Sequence, residues 1–393
     1  MDIAAVEDRH SSGVYTKRGV TIVRGEGALL WDEQGKEYID CVGGQGAANL
    51  GHANAAVAAA MATQAQRLIS CPEIFHNDRR SELMERLTML AGLPRVFLCN
   101  SGTEAVEAAF KFSRVATGRT EIVAAMRGFH GRTMGALSAT WNKAYREPFM
   151  PLVPGFRHVP YNNLGALDQA VTADTSAVIL EIVQGEGGVF PGTREYLQGA
   201  QAVCRRSGAL LIIDEVQTAF GRTGKMFAFQ HYDLQPDLVC VAKSIAGGLP
   251  MGALLIGEAV GVLPGHIHGS TFGGNPLACA TSLAALDEIE RLELARRAAE
   301  NGEYFLANLR QIDTPVVREV RGLGLLVGIE LRRKAAPFLQ VLMEDGVLAL
   351  TAGMNVIRFL PPLVITREQL DRVTGSVAHV LAQPVVEMGE PIE

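Results

Sequence analysis

Two residues of opposite charge, Asp214 and Lys243, each follow an apolar run: ALLIID ends in the acid, and DLVCVA stands directly before the amine. If both runs are strands of one open α/β sheet, their carboxyl ends face a common crevice, and the carboxylate and the amine can share it. An amine that emerges from LVCVA is partly desolvated, which lowers its pKa and makes it able to condense with a carbonyl. Taken alone, the pair fits equally well a surface lysine that starts a helix and an aspartate that caps one. A third feature changes the balance. In NSGTEAVEAAFKFSR (100–114), Ser101, Gly102 and Thr103 stand at the start of a helix whose apolar face is Ala105, Ala108, Ala109 and Phe112. Free amides at a helix start, a glycine that lets the backbone approach closely and two hydroxyls make an anion site suited to a phosphate, although an ordinary helix cap has the same residues. A phosphate cradle, a lysine and a strand-end aspartate together are what a protein supplies to pyridoxal 5′-phosphate. The lysine forms the Schiff base, and the aspartate keeps the pyridine nitrogen protonated so that the ring withdraws electrons.

The elements that must position these residues follow from periodicity. Residues 20–50 alternate apolar pairs with glycine turns, as in a small antiparallel meander. From there to about 279, short apolar runs at 95–99, 121–126, 176–183, 209–214, 237–242 and 252–257 alternate with helical segments. Runs that are continuously apolar mean strands covered on both faces, hence a mostly parallel sheet between helices. From Ala280 one long helical stretch leads to two strands joined near Gly322, a helix over 335–345, a strand-like NVIRFLPPL and a last helix that starts at Thr366, with Gln369 at capping-box spacing. These patterns divide the chain into a large α/β domain, 51–279, and a small α+β domain built from 1–50 and 280–393. The tail EMGEPIE reads as frayed.

Composition narrows the function classes. With 36 Lys+Arg against 42 Asp+Glu, the 393-residue chain carries a net charge of −6, which argues against nucleic acid as a partner. No apolar stretch approaches the roughly 18 residues of a membrane span, and MDIAAVEDRHSSG has no apolar signal core. The six cysteines are scattered without a C-x-x-C pair, and His266 and His268 lack carboxylate or cysteine company, so no metal site is expected. A cytoplasmic enzyme is the expectation.

The blocks LLIIDEVQTAFGRTG, LVCVAKSIAGGLPMGA, GFHGRTMGALSAT and HGSTFGGNPLACA resemble those of class III aminotransferases, in the same order and over essentially the whole chain. The resemblance implies the pyridoxal-phosphate-dependent transferase fold of type I, a homodimer with shared active sites, and a set of roles. Lys243 would be the Schiff-base lysine and Asp214, with Glu215 beside it, the partner of the pyridine nitrogen. Val216 and Phe129 would flank the ring, and Gln217 would reach its phenolic oxygen. Ser101, Gly102 and Thr103 would hold the phosphate, with Thr271 and the neighbouring Ser270 reaching across to the other subunit. Arg132 and Arg358 match the two carboxylate-binding arginines, so glutamate and 2-oxoglutarate are the implied donor and acceptor. Glu186 in VQGEGG matches the glutamate that covers the position of Arg358 when the substrate has no α-carboxylate there, and Tyr15 matches a tyrosine set against the substrate's α-carboxylate. Both placements imply an amine remote from an amino-acid head. Ile182 replaces a usual proline after Glu181, and Gln45 stands where many relatives have an aromatic residue.

Within the family, the segments YIDCVGGQGAANLGH, SATWNKAYREPFMPLV and VLALTAGMNVIRFLPPLVI look closer to members that aminate α-aminoadipate semialdehyde held on an acidic amino-group carrier protein than to acetylornithine members. The resemblance thus implies lysine biosynthesis, with ornithine and acetylornithine as the alternatives. An aminomutase or racemase of the same fold is a more distant one.

Overall fold

The computed structural model describes residues 2–383, so the tail EMGEPIE lies outside the described residues. Seven strands form the central sheet: β1 (Arg95–Cys99), β2 (Glu121–Ala125), β3 (Phe156–Val159), β4 (Thr175–Glu181), β5 (Leu210–Asp214), β6 (Leu238–Val241) and β7 (Gly252–Ile256). Their order across the sheet is β1-β7-β6-β5-β4-β2-β3, and only β7 runs against its neighbours. The continuous apolar runs have the cause inferred for them. Successive side chains of a strand point to opposite faces, and here both faces are covered. Ile122, Ala124, Ala177, Ile179, Leu210 and Ile212 face the helix Gly102–Thr117 in one buried cluster. Val123, Ala125, Val178, Leu180, Leu211 and Ile213 lie in another, on the side of the helix Arg194–Ser207. β3 was not anticipated. Its half-buried edge position gives FRHV no apolar run to read.

Both chain ends build the flanking layers. The antiparallel strands Ile22–Glu26, Leu29–Asp32 and Glu37–Asp40 are joined in parallel by Val347–Leu348, far along the chain. A second sheet orders Val317–Leu323, Leu326–Leu331, Val356–Phe359 and Leu350–Ala352, all antiparallel. The turn between its first two strands is at Gly324 rather than Gly322. Gly324 takes φ +57, and a Cβ there would sit 2.5 Å from the Thr223 carbonyl carbon. The long helical stretch expected from Ala280 is two helices, Pro276–Arg291 and Leu294–Arg310. Glu293 breaks it with φ 51, a reversal that no glycine or proline announces, and Leu294 is buried just beyond. The last helix begins as read, with the Thr366–Gln369 capping box formed. An exposed helix, Ile3–His10, precedes the meander and was not anticipated. No helix of the described residues is long and apolar enough to cross a membrane.

Arg222 ties these layers together from a fully buried position. Its guanidinium donates to the carbonyls of Leu325 (3.0 Å) and Pro361 (2.5 Å) and to Oδ1 of Asn49 (2.6 Å), so one side chain joins the central region to both chain ends. Removing it leaves three buried acceptors without a donor, each a substantial penalty. Arg222→Met is expected to lower the unfolding free energy by about 3 kcal/mol or more in urea titration. A loss below about 1 kcal/mol would mean that water or another donor replaces those bonds.

Candidate active site

The carboxyl ends of the parallel strands converge on one cleft of about 390 Å³. Asp214 is the last residue of β5, and Lys243 follows β6 by two residues. Ser101–Thr103 follow β1, Phe129–Arg132 follow β2, and Glu186 follows β4. Lys243 opens a short 3-10 turn with φ 50, a left-handed conformation that costs a non-glycine residue energy and recurs where function fixes a side chain. Burial pushes its ammonium pKa down to about 8, and the positive field of Arg358 adds to this. Glu186, Asp214 and Glu181 oppose the shift.

Asp214 is 5% exposed and held by two donors, His130 Nδ1 at 2.8 Å to Oδ2 and the Val216 amide at 3.1 Å to Oδ1. Burial opposes a charge on His130, but the hydrogen bond and field of Asp214, with Glu181 behind, outweigh it and raise the imidazole's pKa. Glu181 is itself pushed up to about 7 by burial, against the stabilising charge of His130. Its carboxylate accepts from the amides of Phe129 (3.0 Å) and Gly185 (3.1 Å), which fixes the two loops that bound the cleft.

On the phosphate side, Ser101 caps the helix Gly102–Thr117 by accepting from the Glu104 amide. Among the described residues, no acceptor takes the amides of Gly102 and Thr103. A Cβ on Gly102 would stand 2.8 Å from both methyls of Val216, so the cradle needs glycine there. Unpaired amides at a helix start, in a cleft that also holds a partly neutral lysine and a buried aspartate, fit a phosphorylated pyridine aldehyde. On the far wall, Arg358 is 2% exposed. It pairs with Glu186 at 2.7 Å and donates to Gln217 Oε1 at 3.2 Å. Gly185 makes room for Gln217, whose Oε1 would lie 1.8 Å from a Cβ there.

The cleft thus gathers Lys243, Asp214, Ser101, Gly102, Thr103, Phe129, Val216, Gln217, Arg132 and Glu186 in its lining, with Arg358 bonded to two of them. Arg132 lies 3.5 Å over the ring of Tyr145, an aromatic partner that the sequence did not mark. Four expected residues stand elsewhere. The Glu215 carboxylate turns inward to the Thr218 hydroxyl (2.5 Å) and the Phe229 amide (2.7 Å), where it fixes the turn after β5. Ser270 and Thr271 line a separate small cavity with Asn100, whose side-chain amide donates to Ser270 at 3.0 Å. Tyr15 is 78% exposed, in a stretch with no regular structure between the first helix and the meander, and it does not reach the cleft. His130 and the bridging role of Glu181 were missed, since only the fold brings them to Asp214 and Phe129. The one local signal was that His130 sits between Phe129 and Arg132.

A family model described as aminotransferase class-III matches residues 12–381. The LysW-aminoadipate semialdehyde transaminase of Deinococcus radiodurans is 50% identical over 383 residues, covering 96% of this chain and 89% of that protein. The acetylornithine aminotransferase of Methanothermobacter thermautotrophicus is 44% identical, covering 97% and 98%. Among solved structures, an ornithine aminotransferase from Toxoplasma gondii superposes with a TM-score of 0.93 at 34% identity, over 96% of this chain and 93% of that one.

The lowered pKa of Lys243 sets a pH dependence. Only the neutral amine condenses with an aldehyde, and its fraction grows as pH rises through the pKa. Uptake of pyridoxal phosphate by the apo protein, followed by absorbance, is expected to quicken with pH and level off just above about 8. A rate that still climbs past about pH 10, as for a solvated lysine, would contradict the burial argument.

Proposed function

The chain belongs to the class III aminotransferases, pyridoxal-phosphate enzymes of fold type I, and we propose that its substrate is carrier-bound. In this reading it transfers an amino group from glutamate to the terminal aldehyde of α-aminoadipate semialdehyde held on an amino-group carrier protein, giving lysine, and the reverse. The pairing of Glu186 with Arg358 carries the assignment to a terminal amine. A guanidinium that fits a carboxylate is covered in advance by an acid, so a substrate with no α-carboxylate at that point does not leave a buried cation unpaired. The 50% identity to the LysW-aminoadipate semialdehyde transaminase supports the choice of substrate. The acetylornithine relative at 44% favours N-acetylornithine as a second reading.

When bound, pyridoxal phosphate supplies an electron-withdrawing ring that makes the hydrogen on the amine-bearing carbon acidic. The amides of Gly102 and Thr103 would hold its phosphate, Val216 and Phe129 would flank the ring, and Gln217 would reach the ring oxygen. Asp214, oriented by His130 and the Val216 amide, would hold a proton at the ring nitrogen. Lys243 is the base that takes the substrate proton and the acid that returns one, a task suited to a pKa brought near working pH. Arg132, and Arg358 once Glu186 releases it, would bind the two carboxylates of glutamate. The two half-reactions follow in turn on one site, so kinetics should be ping-pong. A homodimer, with Ser270 and Thr271 serving the neighbouring subunit's phosphate, belongs to the same proposal. So does a cytoplasmic location, which the six free thiols support.

Lys243→Ala is expected to abolish the glutamate half-reaction in single turnover, and measurable turnover would remove that residue from its role. Asp214→Asn should slow the same step on the order of a hundredfold or more, and a near-normal rate would contradict the ring-nitrogen assignment. For the substrate, kcat/KM with a carrier protein ending in lysine should exceed that with N-acetylornithine. The opposite ranking would transfer the assignment to the second reading.

A further inference from the structure

Past Phe129 and Glu186 the catalytic cleft adjoins a second cavity of about 540 Å³, which shares those two residues as its wall. The backbone holds its other walls together. The Trp141 amide donates to the Gly128 carbonyl (2.9 Å), and the Gly353 amide donates to the Glu186 carbonyl (3.1 Å). The cavity is therefore a fixed continuation of the site, bounded by the loop after β2, the segment 140–145 and the turn 351–356.

Its charges do not balance. Of the two acids that line it, Glu186 is paired with Arg358, and Glu330 is paired with both Arg321 and Arg318. Arg127 and Lys143 also line it, and neither has a carboxylate partner among the described residues. Arg127 instead lies 4.8 Å over the ring of Phe190. Two uncompensated cations thus face one concavity beside the active site of a chain whose net charge is −6. Trp141 adds an aromatic surface on the same wall. The second cavity lies beyond the cleft lined by Lys243 and Asp214, so a substrate that extends past Phe129 and Glu186 would enter it. An extended chain with carboxylates would occupy it.

We propose that the second cavity receives the acidic peptide to which the reactive amine is attached. Arg127 and Lys143 pair with its carboxylates, Trp141 packs along the chain, and the amine-bearing arm passes Phe129 and Glu186 to reach Lys243. This inference rests on the carrier-bound reading and deepens it, since complementary charge at a docking surface sets partner choice.

The test uses two synthetic hexapeptides that carry lysine through its α-amine, one of alternating glutamate and glycine and one with glutamine in place of each glutamate. The holoenzyme should show a higher kcat/KM for the acidic peptide, and the gap should narrow as salt is raised. R127Q/K143Q should raise KM for the acidic peptide on the order of tenfold. It should leave the neutral peptide and the glutamate half-reaction unchanged. If the wild-type enzyme favours the acidic peptide and the double variant keeps that preference, the docking assignment is wrong while the carrier-bound reading stands. If the wild-type enzyme turns over N-acetylornithine better than either peptide, the carrier-bound reading fails and takes this inference with it. An equal loss on the glutamate half-reaction would show a structural role for the two cations and would also overturn the assignment.

Discussion

A half-buried amine at Lys243, largely withdrawn from water, is the constraint around which this protein is arranged. Removal from water disfavours its charge, and the nearby guanidinium of Arg358 disfavours it further, whereas the carboxylates of Glu186, Asp214 and Glu181 draw it back. The result lies near neutrality, where one side chain can act both as nucleophile and as proton carrier. That balance requires acids and bases from four strand ends to be desolvated together without any being left alone. Hence Asp214 has His130, Glu181 has two amides, and Arg358 has Glu186 and Gln217. A parallel sheet suits such a demand, because it delivers all its carboxyl ends to one edge while both faces remain dry.

Much of this was legible in the sequence because burial on both faces writes itself as uninterrupted apolar runs. ALLIID and DLVCVA mark Asp214 and Lys243 as strand-end residues, and NSGTEAVEAAF, which gives the helix start, is what sets the pair apart from a helix cap and a surface lysine. What stayed hidden depends on contacts across long stretches of chain. His130 has no reason to be singled out until β2 and β5 bring it to Asp214, and Glu215 looks like a site residue until its carboxylate is seen turned to Thr218 and Phe229. The break at Glu293 escaped notice for a different reason. A non-glycine residue in a left-handed conformation carries no compositional mark.

The layers from the two chain ends do more than cover the sheet. Arg222 fastens them from a buried position, and the strand Val356–Phe359 delivers Arg358 to the far wall of the cleft. Most of the cleft lining therefore comes from the ends of the sheet, whereas Arg358 comes from a separate layer. Relatives named for different amine substrates are 34–50% identical to this chain.

Glu186 stands where the sheet-end lining and the layer that carries Arg358 meet. Its carboxylate closes Arg358, its carbonyl accepts from Gly353, and its side chain lines both the catalytic cleft and the cationic cavity beside it. A dicarboxylate that claims Arg358 must displace that carboxylate, and the displaced charge has to find either water or another cation. Arg127 and Lys143 line the same cavity, and neither has a carboxylate partner among the described residues. Glu186 is the one carboxylate that lines both cavities, so its position sets how much unpaired positive charge each of them presents.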